Sequence, residues 1–170
     1  MRGFLKIIDR ISEWSGKIAM WGILIVSGIC VYEVFTRRLL GSPHVWTYEI
    51  VSLFYGFHFM ILAAYTLLLK GHVAIDILYN RFSRKAQAFI DILTYLFFFF
   101  PFMLILLWLG GDNSWASWAT SEKTATARLP LVIPVMKTVT PVTALLLLLQ
   151  GFAFFYRRLF FLMKGEELSC

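Results

Sequence analysis

The chain has 170 residues, 59% hydrophobic and 18% aromatic, but only 15% charged, against about 45–50% apolar and about 25% charged in a typical soluble domain. The apolar excess is gathered in four runs, each long enough to cross a bilayer, which argues against a soluble enzyme, a disulfide scaffold or a disordered chain. The net charge of +6 and the pI near 9.5 do not indicate nucleic acid, because the basic residues flank apolar runs instead of forming one face; they read as orientation signals and contacts to membrane lipids.

Residues 1–17 place Phe4, Leu5, Ile7, Ile8, Ile11 and Trp14 at helical spacing, with Arg2, Lys6, Arg10 and Lys17 among them. This pattern predicts an amphipathic helix in the membrane surface, or the first turns of a longer one. A first span is expected over about 18–35, followed by turn residues Leu40 to His44. The second covers about 46–69, and the third about 87–111, with Ser83 as a cap and Pro101 as a bend. Residues 112–139 carry Trp115, Trp118, Pro130 and Pro134 and read as an amphipathic connection. The fourth span falls within about 139–160, with Thr140 as N-cap and Pro141 as its first helical residue. The four-helix domain therefore covers 18–163, and 164–170 form a cytoplasmic tail.

These elements describe an all-α integral membrane protein with four transmembrane helices and an interfacial N-terminal segment. Four spans put both termini and the middle loop on one side. That side holds eleven of the 16 Lys and Arg residues and the other side five, which predicts cytoplasmic termini.

Charge near the membrane concentrates at the outer end of the first hairpin. Glu33 and Arg37 stand i,i+4, the favourable order for a helical ion pair, and Glu49 lies beside Trp46 at the start of the next helix. The cluster reads as a clasp or partner contact in preference to an ion or substrate site. His58 lies mid-span, where an ionisable side chain needs an interior partner. His72 follows on nearly the same face, so a haem-binding electron-transfer subunit is one alternative; a stand-alone homo-oligomeric exporter is another. His72 and Asp76 are also i,i+4, but two ligands make a weak metal site. Asp91 is within reach of Lys85 or the inner headgroups. Cys30 and Cys170 form neither a metal pattern nor a disulfide framework. No nucleophile–base set or phosphate loop is present, so no enzyme, cofactor or metal is expected.

The order Glu33-x3-Arg37, Pro43-x2-Trp46-Thr47-x-Glu49, Ala63-Ala64, His72-x3-Asp76, then Pro130, Pro134, Pro141 and Gln150, resembles the small membrane subunit of tripartite ATP-independent periplasmic (TRAP) transporters, the DctQ-type component, over about residues 18–160. The resemblance implies a small permease subunit in the bacterial inner membrane. It would scaffold a large membrane subunit that moves sodium and an organic acid delivered by a periplasmic binding protein. From their clustering, Arg37, Trp46 and Glu49 are expected to organise the outer hairpin, with Glu33 as ion-pair partner; His72 and Asp76 are expected to organise the inner loop.

Overall fold

The computed structural model describes residues 2–69, 79, 81–123 and 131–165. No strand occurs among them, and four helices are long and apolar enough to span a membrane.

Helix α1 runs unbroken from Arg2 to Leu39, so the amphipathic start forms the first turns of a longer helix. Its 38 residues at about 1.5 Å each reach about 57 Å, well beyond a hydrocarbon core of about 30 Å. Arg37 and Arg38 occupy its last turn, where the helix dipole favours cations. The chain leaves the helix through Gly41, whose φ of +65° is the left-handed conformation that glycine adopts without a Cβ penalty. Thr36 O accepts from the backbone N–H groups of Leu40 (3.0 Å) and Ser42 (3.4 Å).

Helix α2 spans Val45–Leu68. Helix α3 is one rod from Arg84 to Thr120, made of α-helix Arg84–Thr94, a π turn Tyr95–Phe99 and α-helix Phe100–Thr120. Ser83 caps it by accepting from the Ala86 backbone N–H at 3.3 Å. Pro101 follows the π turn by two residues. Proline has no N–H to offer the Phe97 carbonyl, and its ring crowds that carbonyl. The helix accommodates this by widening upstream, where the Phe100 N–H reaches back to Tyr95 O. The third span also extends past the expected 111, and Trp115 and Trp118 lie on the helix instead of on a connection.

Helix α4 runs Val132–Lys164, so Thr140 and Pro141 are interior and do not begin the helix. A Thr-Pro pair is a local cap signature, but in a spanning helix the single lost backbone bond is tolerable when neighbouring helices enclose the site. Here Pro141 packs against Gly110 of α3: a Cβ at Gly110 would stand 3.3 Å from Thr140 Cγ2 and 3.4 Å from Pro141 Cδ.

The helices form two antiparallel hairpins, α1–α2 and α3–α4. Helix α4 is the hub, packing on α1, α2 and α3. A third of its most apolar stretch is buried, against 11%, 11% and none for the other three, so it is the most buried of the four. Its buried residues Val139, Thr143, Leu147 and Gly151 recur every four positions, and Ala144 and Ala153 beside them are small. Without a water-driven force between helices in lipid, such residues let backbones approach closely and gain packing contacts.

Candidate functional site

The densest polar cluster at the connection between α1 and α2 centres on Glu33. Arg37 donates to Glu33 Oε1 from Nη2 (2.9 Å) and Nε (3.3 Å). The His44 backbone N–H also donates to Oε1, at 3.3 Å. Thr47 Oγ1 donates to Glu33 Oε2 at 2.7 Å and lies against the His44 carbonyl. One carboxylate therefore ties the end of α1 to the loop and to the first turn of α2. Its side chain is 13% exposed, whereas that of Arg37 is 62% exposed, so Glu33 is the fixed member of the pair. Charge on that carboxylate is stabilised by the three donors, since hydrogen bonds to an ionised group are shorter and stronger than neutral ones.

Trp46 takes part through its ring. It stands tilted to Tyr32 (centroids 6.3 Å apart) and edge-on to His44 (5.8 Å). Glu49 is buried at 4% exposure, one turn further along α2. The structure thus brings Glu33, Arg37 and Trp46 together around the loop, with Thr47 and His44 as the additional partners. His72 and Asp76 lie outside the described residues.

His58 on α2 bonds to α1: its Nδ1–H donates to the Ala19 carbonyl at 2.7 Å, which fixes that tautomer. This is the interior partner a mid-span histidine requires.

A second polar cluster holds the opposite end. Gln150 of α4 accepts from Ser12 Oγ at 2.9 Å and donates to Asp9 Oδ1 at 3.2 Å; Asp9 Oδ2 in turn pairs with Arg157. Ser12 and Gln150 are almost fully buried. The adjacent Arg158 binds Asp91 of α3 at 2.9 Å and stands over the Phe154 ring. Asp91 also accepts from Tyr79 Oη at 2.8 Å. Its partners are therefore Arg158 and Tyr79, not Lys85, because α4 presents a guanidinium directly to it. Neighbouring arginines on α4 thereby tie α1 and α3 to the hub. The signal for this network is Gln150, an amide within an apolar run, which has to find polar partners in lipid.

A third pair lies at the α3–α4 connection. Lys137 Nζ donates to Glu122 Oε2 at 2.6 Å, and Ser117 Oγ donates to the same oxygen at 2.8 Å. These two donors, Lys137 first, hold the Glu122 carboxyl below the usual carboxylate range. Trp118 Nε1 donates to Thr138 Oγ1 nearby, at 2.9 Å.

All three clusters join one helix to another. Among the described residues, no group of three or more His, Cys, Asp or Glu residues is placed to hold a metal ion.

Comparison with known proteins gives two findings. The family described as tripartite ATP-independent periplasmic transporters, DctQ component, matches residues 26–161. The chain is also similar to the sialic acid TRAP transporter permease protein SiaT of Haemophilus influenzae (strain 86-028NP), at 28% identity over 105 residues, which are 60% of this chain and 16% of that protein. The chain thus spans about a sixth of the length of that relative. No solved structure matches.

Proposed function

The chain belongs to the DctQ component family of tripartite ATP-independent periplasmic transporters, and from that premise we propose that it is the small permease subunit that scaffolds a large membrane subunit during ion-gradient-driven uptake. The energy source in this reading is sodium, and the cargo is an organic acid brought by a periplasmic binding protein. The subunit resides in the bacterial inner membrane with both termini in the cytoplasm, as the distribution of Lys and Arg favours. It carries out no chemical conversion.

The observation that carries the reading is the family match over 26–161 on a bundle in which α4 is the most buried helix and even it is only one-third buried. Helices α1, α2 and α3 leave most of their spanning surface uncovered, including Trp108 at 79% exposure. Such faces suit a stationary body seated between lipid and a larger partner. The Glu33 cluster stiffens the first hairpin, with Arg37, Trp46 and Glu49 organising its outer end. His72 and Asp76 organise the inner loop.

The test is co-expression with the large subunit, purification and reconstitution into vesicles with binding protein added outside. The complex co-purifies and accumulates an organic acid under an inward sodium gradient, and the chain alone accumulates none. Uptake by the chain alone, or failure to co-purify, overturns the proposal.

A further inference from the structure

The α1–α2 hairpin holds an open cleft of about 420 Å³ beside the Glu33 cluster. Its lining changes character along its length. Cys30, Val34 and Val51 form the end nearer mid-span, and Arg37, Arg38 and Tyr48 form the end at the loop. Cys30 and Arg38 are eight positions apart on one helix, about 12 Å along its axis. The cleft therefore joins an apolar trough to a basic mouth along the end of a spanning helix.

The charges at the mouth are uneven. Glu33 and Arg37 neutralise each other. Arg38 is exposed at the helix end and has no carboxylate within ion-pair distance among the described residues. One positive charge remains at the mouth. We propose that this cleft is a binding site for an anionic phospholipid, whose phosphodiester sits on Arg38 with the free edge of Arg37, and whose acyl chain lies along Val34, Cys30 and Val51.

A lipid fits better than a partner helix here. The charge left over is a single cation, which one phosphodiester matches. Arg38 stands in the last turn of a spanning helix, the place from which arginines reach headgroup phosphate. Tyr48, 76% exposed at the mouth, adds an amphipathic ring of the kind that settles at headgroup level.

The test uses the full chain, alone and in complex with its large subunit, in nanodiscs of phosphatidylglycerol and phosphatidylcholine doped with a photoactivatable-acyl analogue of either lipid. After irradiation, the labelled peptides are mapped by mass spectrometry. The phosphatidylglycerol analogue labels peptides containing residues 30–51 above the other lipid-facing helices, and more than the phosphatidylcholine analogue does. Arg38→Gln lowers that labelling by about fivefold, the change expected from one basic residue near an anionic surface, and Arg38→Lys largely restores it. A thermal melt of each variant shows that the bundle is intact. Equal labelling by both lipids, labelling unchanged in Arg38→Gln, or labelling lost when the large subunit is present overturns the proposal; the last result would assign the cleft to the protein interface.

Discussion

A methyl group placed on Gly151 would stand 2.2 Å from Cε1 of Phe99. The ring of Phe99, in the π turn of α3, thus lies directly on the α4 backbone, so the irregular turn above Pro101 touches the hub closely at this point. Gly151→Ala should therefore force the ring or the helix to shift, at a cost of about 1–3 kcal/mol, the usual range for overpacking. Thermal or denaturant unfolding in detergent checks this. Phe99→Ala in the same background should relieve the clash, so the double variant should be more stable than the sum of the single effects requires. Simple additivity would mean that the two residues do not meet.

Gly16 and Gly28 make a matched pair on α1. A Cβ at Gly16 would lie 2.4 Å from Tyr65 Cγ and 2.5 Å from Tyr65 Cβ, close to the α2 backbone, whereas a Cβ at Gly28 has open space. Gly16→Ala should lower the melting temperature clearly, because atoms so near the main chain cannot swing aside. Gly28→Ala should leave it unchanged or raise it slightly, since alanine is the better helix former. Equal effects would show that α1 and α2 do not cross at Gly16.

Much of this arrangement was legible in the residues. The four apolar runs specify the helices because backbone in lipid must satisfy itself, and His58 predicts a partner across a helix interface for the same reason. Ser83 reads correctly as a cap because capping is local. Thr140–Pro141 carries the same kind of local signal and misleads, since contact with Gly110, thirty positions away, keeps the helix continuous. The length of α1 is hidden by its charges: Lys6, Arg10 and Lys17 interrupt the apolar pattern, while Asp9 and Glu13 absorb charge through Arg157 and Lys17. The Asp9–Arg157 pair spans almost the whole chain, so no spacing rule reaches it. At the candidate site, Glu33–Arg37 is legible as an i,i+4 pair. The joining of Glu33 to Thr47 depends on the loop fold, which spacing does not supply.

The Gln150 amide joins Ser12 and Asp9 at once, in a place with almost no exposure. Gln150→Leu keeps the volume roughly constant but strands the Ser12 hydroxyl. The expected loss is about 1–3 kcal/mol, the cost of an unsatisfied buried polar group. Ser12→Ala added to Gln150→Leu should recover part of it, because the stranded group is then removed. A double-mutant cycle from unfolding midpoints measures the coupling, and a coupling of zero would dissolve the network.

At the first hairpin, two substitutions at Glu33 separate charge from hydrogen bonding. Glu33→Gln keeps an oxygen to accept from Thr47 or from the His44 N–H but loses the ion pair with Arg37. Glu33→Ala loses every link. Cleavage within residues 40–44 by an added protease should rise modestly for Gln and strongly for Ala. Thr47→Val should fall between them, because it removes the tie to α2 alone. Co-purification with a large TRAP subunit should follow the same order if the hairpin shapes the interface. Glu49→Ala, at the buried position on the same helix, should weaken assembly or uptake as well. Wild-type cleavage in Glu33→Ala would show that this carboxylate does not hold the loop.

The Glu122–Lys137 pair gives a pH dependence whose sign is fixed. Donation from Lys137 and Ser117 favours the ionised carboxylate, so Glu122 binds its proton more weakly in the folded chain than in the unfolded one. Linkage then makes its contribution fully present above the ordinary carboxylate value, near pH 4.3 as a rough reference, and lost as the pH falls through the lowered folded value. Glu122→Gln should accordingly melt below the wild type at pH 7, and the gap should close in acid. Both groups are partly exposed, so added salt should shrink the difference at neutral pH. Melting curves of the two proteins from pH 7 to pH 3, at low and high salt, test each statement. A gap that widens as the pH drops would mean that the Glu122 carboxylate is not stabilised in its ionised form by Lys137.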